Sequence, residues 1–246
     1  MIRDFVLRSH EGKRAMVREE WADDIAAALL EGRGCEPAGL GGRGALLRFS
    51  YGGGTGLIRR YLRGGVVRWV LRDAYVLHNR PLRELRLHVG LYDEGLAVPV
   101  PLGAVWQRRG LCFRGAIATG EVDAVDLLAY LEGHGAGDGA VLRECGRLIR
   151  RIHDGGVFHG DLQVGNILVG AEGPYLIDFD KATRRAALDR VKRAQNLFRL
   201  RRSLEKNGLT SDCFRLICEG YGDQSLPDWV GRVYRVKGRL ADLAPR

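Results

Sequence analysis

The segment that decides the fold is residues 159–180, which read HGDLQVGNILVGAEGPYLIDFD. Two short apolar, β-prone runs, 166–169 and 174–177, are separated by a glycine-flanked stretch of four residues. This pattern predicts a β-hairpin. A hairpin folds Asn166 back beside Asp178, so an amide and a carboxylate oxygen are expected on one face, where hard cations find their ligands.

The spacing of the polar residues in this segment indicates a particular chemistry. Asp161 lies two residues after His159, Asn166 follows five residues later, and Asp178 twelve residues after that. In the kinase-like order, the first Asp accepts the proton of the substrate hydroxyl, while the Asn and the second Asp hold Mg²⁺ at the phosphates of ATP. We therefore predict a kinase that uses ATP and Mg²⁺, with Asp161 catalytic, Asn166 and Asp178 as metal ligands, and His159 as a structural brace.

A glycine-rich segment lies upstream, at residues 39–49, and carries a GxGxxG pattern that runs into a predicted strand. A strand after the glycines argues against a Rossmann dinucleotide site, which requires a helix there. As the loop of a hairpin, the segment would let backbone amides approach ATP phosphates without an intervening side chain. Gly41, Gly42 and Gly44 are the predicted cofactor-binding glycines.

A kinase also needs a cation on the following strand and a carboxylate on a helix to hold it. Arg59 occupies the usual lysine position, and Glu84 lies in a helical run that begins at Arg80. We predict that Arg59 pairs with Glu84 and contacts phosphate, with Arg60 and Arg63 as alternatives. An arginine is a planar fork rather than a compact charge, so the grip on phosphate would differ from that of lysine.

Length and composition fit an α+β, protein-kinase-like two-lobed fold with a small β-rich N-lobe and a mainly helical C-lobe. The 246 residues are 46% hydrophobic, which is enough for a sizeable core. The predicted lobes are residues 1–120, with an N-terminal helix and the glycine loop, and 121–246, with the catalytic loop and metal site. Helices are predicted at residues 20–31, 80–88, 123–130 and 140–153, and extended segments at 96–101 and 111–119.

The charge of +9 includes a basic cluster just after Asp178. Its members are Arg184, Arg185, Arg190, Lys192, Arg193, Arg199, Arg201 and Arg202, with only Asp189 opposing them. Such a cluster attracts an anionic partner or forms a solvated helix face.

The five cysteines lack metal-binding spacing and favour a reducing compartment. The N-terminus lacks a signal-peptide core, and no run approaches the roughly 18 apolar residues of a spanning helix. We expect a protein that is cytosolic or peripheral to a membrane.

Several stretches resemble the lipopolysaccharide kinase family, and most closely the 3-deoxy-D-manno-octulosonic acid (Kdo) kinases. The resembling stretches are residues 57–65, 83–87, 95–101, 149–162, 176–180 and 196–204. Gly160 stands where the family more often has Ala, and residues 163–165 depart from its commoner Asn-Ala-His. Asp180 replaces the Gly of Asp-Phe-Gly, and no Ala-Pro-Glu segment follows, which argues against a eukaryotic-type protein kinase.

The resemblance implies transfer of the ATP γ-phosphoryl group to a Kdo hydroxyl of Kdo-lipid A in lipopolysaccharide core biosynthesis. The implied location is the cytoplasmic face of the inner membrane, as a peripheral protein with no nucleic-acid partner. Three alternatives remain open: a lipopolysaccharide core heptose kinase, a small atypical protein kinase, and a pseudokinase that binds anionic lipid.

Overall fold

The computed structural model describes residues 2–39, 46–61, 79–109, 112–134 and 139–222. The chain divides into two compact units. The first comprises Met1–Gly95 and Pro99–Val122, and the second comprises Leu96–Val98 and Asp123–Arg246. Within the described residues, no helix has the length and apolar character needed to cross a membrane.

The first unit is built on a seven-stranded sheet in which all neighbouring strands are antiparallel. Its strands are β1 (Phe5–His10), β2 (Lys13–Arg18), β3 (Glu36–Pro37), β4 (Leu46–Tyr51), β5 (Gly54–Arg60), β6 (Pro101–Arg109) and β7 (Cys112–Gly120). Their order across the sheet is β1-β2-β6-β7-β5-β4-β3. The glycine-rich segment therefore separates two paired strands, β3 and β4.

Two helical segments cover the two faces of this sheet. One is a 3₁₀ turn (Glu19–Trp21) that continues as α1 (Ala22–Ala26) and a π-helical stretch (Ala27–Glu31); the other is α2 (Arg80–Asp93). Side chains alternate between faces along a strand. Ala116 and Ala118 accordingly pack into the core beneath the first segment, whereas Ile117 packs with Leu85 of α2.

The ends of these helices follow from local residues. Gly32, with φ 75°, ends the first segment in the left-handed conformation that glycine adopts without strain. The Asn79 side chain accepts a hydrogen bond from Leu82 N at 3.2 Å and caps α2. Both predicted helices are present, and α2 continues to Asp93, beyond the predicted end.

The second unit carries helices and two small sheets. Its helices are α3 (Leu127–His134), α4 (Gly139–Asp154), α5 (Arg190–Lys206) and α6 (Ser211–Tyr221). One sheet has the order β11-β10-β8, formed by β8 (Ala124–Asp126), β10 (Ile167–Gly170) and β11 (Gly173–Leu176). The other pairs β9 (Val157–Phe158) with β12 (Thr183–Arg184).

Helices α4 and α6 cross with their backbones almost in contact. A Cβ on Gly146 would lie 2.0 Å from the Ile217 carbonyl oxygen, and a Cβ on Gly220 would lie 1.9 Å from the Arg143 carbonyl oxygen. Only glycine fits at both positions. Helix α4 ends at Asp154, five residues before His159, where the segment predicted to be catalytic begins.

Two sequence predictions are corrected. Residues 123–130 are not one helix, because residues 124–126 form β8 and pair with β10, and the helix begins at Leu127. Residues 96–100 are irregular, and the strand predicted there begins only at Pro101. The predicted hairpin is confirmed as β10 and β11, with each strand shifted by one residue.

Candidate active site

The catalytic segment begins at His159, directly after β9, and its main chain is held from helix α5. Asn196 Oδ1 accepts a hydrogen bond from the His159 main-chain N–H at 2.9 Å. The His159 side chain is 1% exposed, and its Nε2 donates to the Ile177 carbonyl oxygen at 2.9 Å. Burial lowers the pKa of His159, the main opposing effect being this hydrogen bond. A neutral ring that links two segments acts as a brace, the role that the sequence predicts.

Asp161 lies at the surface of the second unit between two cations. Its Oδ2 accepts a hydrogen bond from Lys181 Nζ at 2.8 Å, and its Oδ1 lies 3.6 Å from Arg199 Nη1. The Asp161 side chain is 26% exposed, against 61% for Lys181 and 43% for Arg199. The carboxylate is therefore within reach of a substrate, and each oxygen has a cationic neighbour.

Asn166 is hydrogen-bonded to Asp161 and to Ile177, the residue before Asp178. Asn166 is 7% exposed, and its Nδ2 donates to the Asp161 carbonyl oxygen at 2.8 Å. The main-chain carbonyl oxygen of Asn166 accepts a hydrogen bond at 3.0 Å from the main-chain N–H of Ile177, the residue before Asp178. The side-chain amide nitrogen of Asn166 is thus committed to the loop, and its side-chain oxygen is the atom that the sequence analysis predicts to bind a metal.

Asp178 has a φ of 65°, in the left-handed region that few residues other than glycine adopt. Such backbone strain persists where the surrounding structure imposes it, often at functional sites. Here the hydrogen bonds to Ile177 on both its N–H and its C=O fix the backbone immediately before Asp178.

The donor set fits Mg²⁺ of a nucleotide complex and not a metal held by protein alone. Asn166 and Asp178 offer an amide and a carboxylate oxygen, the hard ligands that Mg²⁺ prefers. Within the described ranges, no three His, Cys, Asp or Glu side chains are grouped so that they could hold a metal ion. Mg²⁺ commonly takes one or two protein oxygens and completes its shell with phosphates and water.

The first unit contains the predicted Arg59–Glu84 pair. Arg59 Nη2 donates to both oxygens of Glu84, at 2.7 and 3.0 Å, and Glu84 is 3% exposed. Tyr61, which the sequence prediction did not include, donates its hydroxyl to the same carboxylate. Residues alternate along β5, so Arg60 lines a cavity of about 810 Å³ on the other face of the sheet.

Four of the sequence-predicted positions lie outside the described residues. They are Gly41, Gly42 and Gly44, predicted to contact the phosphates, and Arg63, the alternative to Arg59. Their predicted roles stay predictions.

A buried polar network beneath the catalytic segment escaped the sequence prediction. Asn196 is fully buried, and its Oδ1 also accepts from His153 Nε2 at 3.2 Å. On the other side of the ring, His153 Nδ1 lies 2.9 Å from the Tyr221 hydroxyl. Burial lowers the pKa of His153 to about 4, so the ring is neutral and accepts from Tyr221. The network ties α4, α5 and α6 to the main chain of His159.

Arg193, a member of the basic cluster, lies beside this network and forms hydrogen bonds within the second unit. Its Nη1 donates to Asp154 Oδ1 at 2.6 Å, its Nη2 to the His153 carbonyl oxygen, and its Nε to the Leu188 carbonyl oxygen. These contacts stabilise the second unit from within. Arg193 thus stabilises the second unit, whereas Arg184, Arg185 and Arg190 of the same cluster are exposed.

Comparison with known proteins places the chain in a family. Residues 39–221 match the lipopolysaccharide kinase (Kdo/WaaP) family. A protein named 3-deoxy-D-manno-octulosonic acid kinase from Stenotrophomonas maltophilia is 39% identical over 188 residues, covering 74% of this chain and 75% of that protein. A protein of the same name from Xanthomonas axonopodis pv. citri is 39% identical over 175 residues, covering 69% and 70%.

A solved structure described as WaaP in complex with acyl carrier protein superposes with a TM-score of 0.54. It covers 98% of this chain and 89% of that chain at 17% sequence identity, so the likeness concerns the fold alone. The predicted α+β, kinase-like fold is confirmed. From the extent of the family match and from these relatives, the chain belongs to the lipopolysaccharide kinase (Kdo/WaaP) family.

Proposed function

We propose that this chain transfers the γ-phosphoryl group of ATP to a hydroxyl of Kdo on Kdo-lipid A, in lipopolysaccharide core biosynthesis. The relatives of this chain are named Kdo kinases. The observation that carries the proposal is the linkage of Asn166 to the Asp161 carbonyl oxygen and to Ile177, the residue before Asp178. Phosphoryl transfer depends on positioning and charge stabilisation, which this linkage provides.

In the proposed mechanism, Asp161 orients the sugar hydroxyl and takes its proton as the oxygen bonds to the γ-phosphorus. ADP leaves with the electron pair of the broken bond between the γ-phosphorus and the bridging oxygen. Asn166 and Asp178 would hold Mg²⁺, which neutralises phosphate charge when bound. The hydrogen bond from Asn166 Nδ2 to the Asp161 carbonyl oxygen couples the metal-binding side chain to the catalytic backbone.

The proposal assigns Arg59 to the nucleotide phosphates, with Glu84 and Tyr61 fixing its guanidinium. Gly41, Gly42 and Gly44 are assigned to the same phosphates as backbone donors. Arg59 is 30% exposed although its partner carboxylate is buried, so part of the guanidinium remains accessible.

The proposed location is the cytoplasmic face of the inner membrane, as a peripheral protein. Arg184, Arg185 and Arg190 are exposed beside the start of α5, and Val191, next in sequence, is 42% exposed. Exposed cations attract anionic headgroups, and an apolar side chain among them adds contact with the interface.

Mass spectrometry of Kdo-lipid A after incubation with the protein and Mg-ATP tests the proposal. We expect one added phosphate with the natural chain and a loss of about 100-fold or more in rate for Asp161→Asn, with Mg-ATP affinity retained. No transfer to Kdo-lipid A, together with transfer to heptose-containing core or to protein, would replace the proposed acceptor. Equal rates for Asp161→Asn and the natural chain would remove Asp161 from the mechanism.

A further inference from the structure

We propose that Lys181 and Arg199 form an oxyanion-binding pair that admits an acidic acceptor to Asp161. The inference rests on the proposed function and deepens it, because it names the two side chains that select the substrate. The bound group is a carboxylate or a phosphoryl oxyanion, so its source is either the acid group of the sugar or the γ-phosphoryl group of ATP.

Both cations are held at the Asp161 carboxylate by rigid backbone. Lys181 lies in the turn closed by the hydrogen bond from Ala182 N to the Phe179 carbonyl oxygen, and Phe179 and Ala182 are buried. Arg199 lies in α5 between buried neighbours, Phe198 and Leu200. The backbones are anchored while the charged ends reach solvent, which is the arrangement of a preformed binding pair.

Gly160 brings the two segments into backbone contact. A Cβ at this position would lie 2.2 Å from the Lys181 carbonyl oxygen and 2.7 Å from its Cβ. With glycine at 160, the turn that carries Lys181 approaches the catalytic segment closely enough for Nζ to reach the Asp161 carboxylate. A side chain at 160 would push this turn away.

Donor capacity remains on both cations after they contact Asp161. A lysine ammonium carries three N–H groups, and one of them is used at 2.8 Å. The Arg199 guanidinium lies 3.6 Å from its carboxylate oxygen, beyond hydrogen-bonding distance, and it carries five N–H groups. An incoming oxyanion can therefore bind both cations, with bidentate geometry available at Arg199.

Exchange of ion pairs explains why an acidic acceptor would be preferred. A substrate hydroxyl that approaches the Asp161 carboxylate on the side of Lys181 or Arg199 displaces that cation. A neutral sugar leaves the displaced cation without a new anionic partner, whereas an acidic sugar supplies one. Specificity is the difference between the binding free energies of the two sugars, and this exchange favours the acidic one.

Three other members of the basic cluster are engaged elsewhere. Arg193 contacts Asp154, Arg201 pairs with Glu205 at 2.7 Å, and Lys192 lies over the Phe158 ring. The Asp161 carboxylate is instead contacted by Arg199 of the cluster, from α5, and by Lys181, which precedes the cluster in the segment after β11.

The test uses the full chain carrying Lys181→Met or Arg199→Gln. Exposed cations on the same unit supply matched controls: Lys206→Met, two turns further along α5, and Arg147→Gln on α4. Binding of free Kdo and of its carboxamide is measured by calorimetry. Turnover is measured with Kdo-lipid A and with a carboxamide acceptor, varying acceptor and Mg-ATP separately.

If the acceptor carboxylate is the ligand, each variant weakens free Kdo binding by about tenfold or more and leaves carboxamide binding unchanged. The KM for Kdo-lipid A rises while the KM for Mg-ATP stays constant. If the phosphoryl group is the ligand, kcat falls about tenfold or more with both acceptors, and Kdo binding is retained. The controls stay within about twofold of the natural chain.

This design distinguishes failure of the oxyanion pair from failure of the proposed function. Variants that bind Kdo and turn over both acceptors like the natural chain overturn the oxyanion pair. A natural chain that transfers no phosphate to either acceptor overturns the proposed function. The binding measurement then tests the pair as a site for the acceptor carboxylate: unchanged Kdo affinity in both variants refutes that role, and a tenfold loss supports it.

Discussion

Acid should destabilise this protein well above the pH at which carboxylates titrate, because buried histidines must stay neutral. His153 is 1% exposed and His88 is 3% exposed, and burial lowers the pKa of each to about 4. His88 Nε2 donates to the Pro99 carbonyl oxygen at 2.8 Å, and His153 lies between Asn196 and Tyr221. Neither site offers an anion to an imidazolium in these contacts.

The direction of the effect follows from proton linkage. Between pH 6.5, the ordinary pKa of histidine, and pH 4, the unfolded chain binds more protons than the folded chain. The free energy of unfolding therefore decreases as the pH is lowered. This stability is complete above pH 6.5 and is lost as the pH falls toward 4. Between pH 7.5 and 5, a pKa of about 4 for His153 corresponds to a loss of about 2 kcal/mol.

Urea unfolding of the natural chain and of His153→Gln, at pH 7.5 and at pH 5, isolates this contribution. Circular dichroism is the suitable signal, because α4, α5 and α6 of the unit that contains His153 are helical. The variant should be less stable at pH 7.5, yet lose about 2 kcal/mol less on acidification. His134→Gln, which alters an exposed histidine, should leave the pH dependence unchanged. Parallel losses in His153→Gln and the natural chain would refute the reasoning.

Three further perturbations test the packing that supports the site. Arg59→Met should cost about 3 kcal/mol of unfolding free energy in urea titration, because it strips a guanidinium from a carboxylate that is 3% exposed. Adding Glu84→Gln should restore part of that loss, and strictly additive costs would contradict the coupling. Gly146→Ala should lower the melting temperature by several degrees, since its Cβ would meet the Ile217 carbonyl oxygen at 2.0 Å; an unchanged melting temperature would show that the helices separate freely. Asn196→Leu should reduce kcat more than it raises the KM for Mg-ATP, because it removes the acceptor that fixes the main chain before the catalytic Asp, and an unaltered kcat would exclude that positioning role.

The catalytic hairpin was predictable because its information is local. Two apolar runs and the glycines between them determine β10 and β11, and the spacing of Asn166 and Asp178 then follows. The error of one residue arises because Gly170 and Gly173 pair with each other and belong to the strands instead of the turn. The Arg59–Glu84 pair was predicted from the kinase order of a cation on a strand and a carboxylate on the following helix. The structure shows the pair, and alternation along β5 places Arg60 on the other face of the sheet.

Long-range pairing was beyond the reach of the sequence pattern. Residues 124–126 fit a helical periodicity, but they form a strand because β10, more than 40 residues away, offers its edge. The Asp126 side chain then accepts from Ala129 N at 2.9 Å and helps to start α3. A helix boundary that depends on a distant strand leaves no signal in the local residues.

The buried network escaped prediction because its side chains are neutral, whereas the charged positions of the site stand out in the sequence. Asn196, His153 and Tyr221 are neutral in the fold, and each resembles an ordinary helix residue in sequence. A neutral network can be buried without the desolvation cost of a charge, so it can hold the catalytic segment in one position.

Charge is kept instead at the surface of the same segment. Lys181 and Arg199 meet Asp161 where water can reach all three side chains, so their ion pairs are weak and can be exchanged for a substrate group. A buried salt bridge at this position would hold the loop but would be costly to open. The buried neutral network can hold the main chain of this segment in place, so that Asp161 can position a hydroxyl. The exposed ion pairs of Asp161 can be exchanged, so that an acidic substrate can still bind.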